Sequence, residues 1–324
     1  MIHDSLSRKK PTVKQSPFTT TNQKKIKKMG TIVSTLAFPN PPREISASVL
    51  AQRRDVVWLR TVSGLQVPAV YIMPSTYGTY RHNNNDNIEA KAMNNTTTIR
   101  PTILYSHGNA EDLAIILPFL QTVADTTDCP VLGYEYPGYS AAQGTKASER
   151  GCYEAIEAAY RYLLVDCAVS HIVVYGRSLG TGPTVHLCAQ RRRHGSDNTD
   201  HIISGCILQS PLASAIRCVL DTCTATTLYP LDIFCNQSKI HDVTCPVLIM
   251  HGMVDTVVPC DHGRALYGAL QQRRDHATID YPPVWIPGRG HNDMPEQVCL
   301  KHCRDFVNFV IKKKKNEETN HHVK

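Results

Sequence analysis

The sequence predicts an α/β fold in which a mostly parallel central sheet carries helices on both faces. Three observations lead there. From Pro101 onward, short apolar runs alternate with longer helix-compatible stretches, the pattern of parallel strands joined by crossover helices. Those runs are continuously apolar rather than alternating, as expected when both faces of a sheet are covered. At 324 residues and 42% apolar content, the chain is long enough to bury one large core.

In chain order, residues 1–48 are polar and without apolar periodicity, and read as a disordered basic N-terminal segment. Order is expected from about Val49. Residues 56–61 and 65–73 flank Ser63-Gly64 and predict a β-hairpin. Residues 79–99 hold the runs Asn83-Asn84-Asn85 and Asn94-Asn95-Thr96-Thr97-Thr98, a low-complexity surface insertion of the kind that slowly growing closure entropy tolerates. Strands follow at 102–106, 131–134, 171–175, 203–208, 247–250 and 284–286, with helices at 112–124, 148–164, 179–193, 262–273 and 295–312. Only 212–243 leaves room for a lid, and part of it must be helical, so little or no lid is expected. Residues 312–324 read as a polar C-terminal tail.

The chain carries 35 Lys or Arg against 28 Asp or Glu. Eight of the bases but only Asp4 among the acids lie in residues 1–28, so the remainder balances at 27 of each. A near-neutral body argues against nucleic acid as a partner, and the basic segment suits contact with an anionic membrane surface. Met29-Gly30-Thr31-Ile32-Val33-Ser34 also fits the N-myristoylation pattern, which works only where the glycine becomes the amino terminus, and this makes Gly30 a candidate acylation site.

Twelve cysteines without a Cys-x-x-Cys spacing, most of them single within apolar stretches (Cys129, Cys188, Cys206, Cys245), read as small buried hydrophobes. Cys299, His302 and Cys303 share a helical turn but lack a fourth ligand, so neither a metal nor a cofactor is expected. No secretory apolar region stands at the start, and no run approaches the ~20 apolar residues that cross a bilayer. The expected place is the cytoplasmic side, peripheral to a membrane at most and not secreted.

The chemistry concentrates in Gly176-Arg177-Ser178-Leu179-Gly180, between an apolar run and a helix-compatible stretch. That strand, serine, helix order is the context of a Gly-x-Ser-x-Gly elbow, where Gly176 and Gly180 leave room for a turn that stands the hydroxyl free. Asp255 follows a strand in Met250-His251-Gly252-Met253-Val254-Asp255, and His291 follows the next in Gly288-Arg289-Gly290-His291. Ser, Asp, His is the chain order of the α/β-hydrolase fold. Ser178 is then the candidate nucleophile, His291 its base and Asp255 the group that orients the imidazole. Asp242 precedes its strand and so lies at the wrong end of the sheet. Asp261 is expected to cap the next helix, and Asp293 to serve as a helix N-terminal carboxylate.

An oxyanion needs two backbone N–H donors. Leu179 is placed to supply one. Asn109, in Ser106-His107-Gly108-Asn109-Ala110, is placed to supply the other, with Gly108 letting the backbone approach the substrate and His107 orienting the loop. Glu135, in Glu135-Tyr136-Pro137-Gly138-Tyr139, lines the pocket and is assigned no chemistry.

His107-Gly108-Asn109-Ala110-Glu111-Asp112-Leu113, Tyr136-Pro137-Gly138-Tyr139, Gly176 to Thr184, Ser210-Pro211-Leu212 and Gly290-His291-Asn292-Asp293 together resemble the alpha/beta-hydrolase domain-containing protein 17 family, close to the Bem46-like hydrolases. The resemblance covers residues 49–311, the expected catalytic domain. It implies a serine hydrolase that removes palmitate from cysteine thioesters on membrane-associated proteins, with Ser, Asp and His on Ser178, Asp255 and His291. Two positions depart from the family. Its members carry a cysteine-rich N-terminus, whereas the first cysteine here is Cys129, and Arg177 stands where glutamine is usual in the animal members. The alternatives with the same three groups are a lipid carboxylesterase acting on acyl-ester lipids and a peptidase of the prolyl-oligopeptidase type. A non-catalytic binding module is a third reading.

Overall fold

The computed structural model describes residues 44–77, 100–109, 111–144, 146–193, 203–219, 232–273 and 278–322. Gly30 with most of the basic segment, the 79–99 insertion, and residues 220–231 of the lid region lie outside the described residues.

An eight-stranded sheet runs in the order β1-β2-β4-β3-β5-β6-β7-β8. β1 (Val56–Arg60) and β2 (Gln66–Ile72) form the expected antiparallel hairpin, and β2 also pairs antiparallel with β4 (Val131–Tyr134). The remaining strands, β3 (Thr102–Ser106), β5 (Ile172–Arg177), β6 (Ile203–Gln209), β7 (Val247–Gly252) and β8 (Val284–Ile286), are parallel, with Tyr105 opposite Tyr175 and Leu208 opposite Ile249. The chain passes from β3 to β4 on one side and then to β5 on the other side of β3. Such a switch opens a crevice beyond the carboxyl ends of the strands, where ligands enter folds of this kind.

The helices split between the two faces. On one side α3 (Glu149–Val165), α4 (Thr181–Arg193) and α6 (Asp261–Leu270) pack Ile156, Leu163, Val185, Leu187, Leu266 and Leu270 against Leu104, Val174 and Ile249. On the other, α2 (Leu113–Thr127) and α7 (Glu296–His322) pack Leu120, Val123, Phe306 and Val307 against Ile103, Val173 and Ile207. Alternate strand residues thus face opposite cores, which is why the runs read as continuously apolar. Asp112 starts α2 by accepting the Ile115 N–H at 3.0 Å, and Ser148 starts α3 by accepting the Gly151 N–H at 3.0 Å. Both caps stand where the helices were expected to begin.

Several elements begin or end elsewhere than expected. A helix, α1 (Glu44–Ala51), begins before the expected start of order at Val49 and buries Leu50 beside α2. It is too short for its apolar spacing to register as a period. α7 runs on to His322 through residues expected to be a polar tail. Lys and Glu are good helix formers, and no Gly or Pro interrupts the stretch, so a polar sequence here is compatible with continued helix. The helix after Ser178 opens as a 3-10 turn, Ser178–Gly180, with α4 proper from Thr181. The lid region holds a short helix, α5 (Ile216–Val219), and the 3-10 turns Asn236–Ser238 and Ile240–Asp242.

Candidate active site

β5 lies at the centre of the sheet and ends in the turn that carries Ser178. Ser178 has a φ of +50°, a left-handed conformation that costs a non-glycine residue roughly 1–3 kcal/mol and persists only where its surroundings impose it. Two close approaches impose it. A Cβ on Gly176 would lie 2.5 Å from the Gly180 carbonyl oxygen, and one on Gly180 would run into the Ser106 carbonyl of β3. The turn is therefore wedged between its own strand and the next, and the serine side chain points outward. Thr181 Oγ1 donates to the Ser178 carbonyl at 2.6 Å and closes the turn.

Three loops at the carboxyl ends of β5, β7 and β8 bring Ser178, Asp255 and His291 together. His291 Nε2 is 2.8 Å from Ser178 Oγ, and His291 Nδ1 is 2.7 Å from Asp255 Oδ2. A carboxylate at Nδ1 places the ring proton there, so Nε2 is bare and faces the serine hydroxyl. Asp255 Oδ1 accepts the N–H groups of Val257 at 2.9 Å and Val258 at 2.8 Å. Burial alone would raise the Asp255 pKa. The hydrogen bonds from His251, His291 and the Val258 N–H outweigh it and hold the carboxyl well below the usual range. The histidine loop is tied down by the Val254 N–H on the Arg289 carbonyl at 3.0 Å and by the Gly290 N–H on Asp293 Oδ1 at 2.6 Å. Asp293 thus pins the loop beside His291, a nearer task than the helix terminus expected for it. Asp242 sits before β7, at the far end of the sheet from Ser178. Asp261 occupies the first turn of α6, whose capping position belongs to Cys260.

The second side of the crevice is the loop after β3. Its Asn109 accepts the Tyr139 hydroxyl on Oδ1 at 2.7 Å. Leu179 is the second residue of the 3-10 turn, where an N–H has no acceptor within the turn itself. His107 is fully buried and donates from Nε2 to Glu135 Oε1 at 2.8 Å, with Nδ1 2.9 Å from the Gly108 carbonyl. Glu135 also accepts the N–H groups of Leu113 at 2.9 Å and Tyr136 at 3.0 Å, and the Tyr136 hydroxyl donates to the His107 carbonyl at 2.8 Å. Glu135, expected to line the pocket, is instead the buried anchor of this loop. Gly108 lies against Glu111: its N–H donates to Glu111 Oε2 at 2.7 Å, and a Cβ there would approach that oxygen to 3.1 Å. Glu111 in turn forms an ion pair with Arg177, whose Nη2 is 3.4 Å from Asn292 Oδ1. Arg177 therefore links the elbow to the loops on both sides of it.

Sequence reasoning missed Glu135, Glu111 and His251. No local spacing signals the Glu135–His107 or Glu111–Arg177 pairs, because each joins residues distant in the chain. Cysteine offers no rival nucleophile at three positions near the strands: burial pushes the thiols of Cys129 and Cys218 up to about 12 and that of Cys299 up to about 11, so none is a thiolate near neutral pH.

The chain matches no protein-family model. A protein of Acanthamoeba polyphaga mimivirus that carries the name alpha/beta hydrolase is 32% identical over 209 residues, 64% of this chain and 73% of that one. Human alpha/beta hydrolase domain-containing protein 17B is 36% identical over 195 residues, 60% of this chain. The match spans 61% of the human protein, about three fifths of its length. Among solved structures, an alpha-beta hydrolase from Vibrio vulnificus superposes with a TM-score of 0.60 at 14% identity, over 94% of this chain and 98% of that one. At such low identity the likeness is one of fold.

Proposed function

Since this chain belongs to the alpha/beta-hydrolase domain-containing protein 17 family of alpha/beta hydrolases, we propose that it is a serine hydrolase that cleaves acyl thioesters or esters through an acyl-enzyme. The favoured substrate is an S-acylated cysteine on a membrane-associated protein. One observation carries the serine mechanism: a hydroxyl on a strained outward turn, hydrogen-bonded at 2.8 Å to an imidazole whose other nitrogen meets a buried carboxylate at 2.7 Å.

A serine hydroxyl is a weak nucleophile until a base takes its proton. As Ser178 Oγ bonds to the substrate carbonyl carbon, its proton passes to His291 Nε2. Asp255 keeps the Nδ1 proton and stabilises the imidazolium without taking the proton itself. The carbonyl oxygen becomes an oxyanion and is met by the N–H groups of Leu179 and Asn109. Collapse re-forms the carbonyl and breaks the bond to sulfur or oxygen, and the leaving thiolate or alkoxide takes the proton from His291 Nε2. Ser178 is left as an acyl ester. Water then attacks that ester, giving its proton to His291, and the acid leaves as the serine is reprotonated. The loops Arg177 joins hold both N–H donors and the base in register.

No helix among the described residues is long and apolar enough to cross a membrane. Contact with membrane substrates is proposed to run through the basic segment or an acylated Gly30.

The decisive test offers the purified protein acyl-thioester, acyl-ester and peptide reporters side by side, with Ser178→Ala as control. Preferential thioester turnover that Ser178→Ala abolishes is expected. Ester turnover alone would point to a carboxylesterase and peptide turnover to a peptidase. Activity that survives in Ser178→Ala would overturn the serine mechanism.

A further inference from the structure

We propose that His251 is a positioning residue that locks the Asp255 carboxylate onto His291, an inference that rests on the serine hydrolase reading above. His251 ends the apolar run of β7 and is fully buried. Its Nε2 lies 2.8 Å from the Val258 carbonyl and 3.3 Å from Asp255 Oδ2. Both partners are acceptors, so Nε2 carries a proton. The N–H is best aligned on the Val258 carbonyl and flanks Asp255 as a nearby positive dipole.

The other nitrogen explains why a histidine stands here. Nδ1 is buried with no hydrogen-bond partner among the described residues. It faces Gly263 of α6, where a Cβ would come within 2.6 Å of it. A buried polar atom without a partner is unfavourable, and an aliphatic side chain in the same slot would bring no such atom of its own, although it would leave the Val258 carbonyl without this donor. Packing alone therefore argues against histidine at this place. What the ring contributes is its Nε2–H.

That N–H closes the turn that presents Asp255. His251 holds the carbonyl of Val258, and the N–H of Val258 in turn donates to Asp255 Oδ1 at 2.8 Å. The carboxylate is then held at both oxygens, Oδ1 by the backbone of Val257 and Val258, and Oδ2 by His291 with the His251 N–H alongside. Rotation of the carboxylate would break several of these contacts at once. The imidazole of His291 is thereby kept with Nε2 on Ser178 Oγ. His251 touches neither substrate nor the reacting atoms, so it acts through Asp255.

The full chain is tested with three substitutions. His251→Leu removes the donor, His251→Gln sets an amide N–H near the place of Nε2, and His251→Asn sets one near the place of Nδ1. Turnover of an acyl-ester reporter is measured per active site titrated with a fluorophosphonate. The far-downfield proton resonance of His291 Nδ1–H is followed in the resting protein, where no turnover is needed. The expectation is that Leu and Asn lower kcat by about 10²-fold, the effect of a ~1 Å misplacement, with KM unchanged. Gln restores most of the rate, and the downfield resonance survives in Gln alone. Wild-type kcat and resonance in His251→Leu would overturn the proposal, as would equal impairment of Gln and Asn. Should the leucine variant fail to fold, the Gln and Asn pair decides by itself. Absence of fluorophosphonate labelling in the wild type would instead count against the serine hydrolase reading, which keeps the two failures apart.

Discussion

Two histidine–carboxylate pairs flank Ser178, and their geometry is nearly the same. His107 meets Glu135 at 2.8 Å on the β3 side, and His291 meets Asp255 at 2.7 Å on the β7–β8 side. Both carboxylates are fully buried at their side chains. What separates the pairs is the second ring nitrogen. In His107 it lies against the Gly108 carbonyl of its own loop, so neither ring nitrogen faces the serine. In His291 it faces the Ser178 hydroxyl, so the ring has one nitrogen left for chemistry. A buried His–carboxylate pair is thus no sign of a proton-transfer site until the remaining nitrogen is located.

The largest effect should come from breaking the second pair. Asp255→Asn should lower kcat by on the order of 10⁴, as in the worked serine-protease triad, because the wrong tautomer would then face the serine. Thermal unfolding should change far less than turnover. If Asp255→Asn kept its activity while Asp242→Asn lost it, the acid would be misassigned.

The first pair should respond the other way. Glu135→Leu leaves His107 and the N–H groups of Leu113 and Tyr136 without their acceptor, and removing one member of a buried pair costs roughly 3–5 kcal/mol. Chemical denaturation should register that loss, while turnover per correctly folded molecule falls much less than in Asp255→Asn. Equal stability with a large loss of turnover would erase the distinction between the pairs.

Why one pair was legible in the sequence and the other was not follows from how each is built. β3, β4 and β8 were expected at their observed ends because turn residues bound apolar runs too short for helices. Ser178, Asp255 and His291 each stand just past such a run, so a rule about strand ends reaches all three. Glu135 also stands past a strand, yet its partners lie on the loop after β3 and at the start of α2. No local pattern announces a pairing made by the sheet order, in which β4 lies outside β3. His251 was hidden differently: it sits inside an apolar strand and reads as part of it. Proximity to a helix start is what the sequence shows of Asp293, and no local pattern points to its bond with the Gly290 N–H.

Another buried histidine sharpens the comparison, since its Nδ1 meets a backbone donor where the rings of His107 and His291 meet a carboxylate. His262 Nδ1 accepts the Ala213 N–H at 3.0 Å, which requires a neutral ring at that nitrogen. Burial, reinforced by the charge of Arg217, lowers its pKa to about 4. An unfolded histidine titrates near ~6.5, so on acidification the unfolded chain takes up a proton that the folded chain refuses. Stability should fall as pH drops from about 6.5 towards about 4, by up to about 3 kcal/mol from this residue. Denaturation of wild type and His262→Asn at pH 7 and pH 5 checks it, with the difference between the two proteins shrinking or reversing at the lower pH. A difference that does not change with pH would mean that His262 does not titrate in this window.

The smallest effect concerns Arg177, which joins the two sides. Its ion pair with Glu111 is partly exposed, at 23% and 19% of the side chains, and such pairs contribute about 0–1 kcal/mol. Its reach to Asn292, next to His291, is long at 3.4 Å. Arg177→Gln should therefore leave unfolding within about 1 kcal/mol of wild type. Any larger consequence must appear in turnover, because Glu111 also holds the Gly108 N–H and Asn292 adjoins the base. Glu111→Gln keeps an acceptor for Gly108 while removing the charge, so the two substitutions can be combined in a double-mutant cycle on kcat/KM. A coupling of about 0.5–1 kcal/mol would mean that the charge pair itself keeps the loop and the base in register. Additive effects would reduce the pair to a surface contact. The two histidine–carboxylate pairs would then be positioned independently, each by its own buried hydrogen bonds.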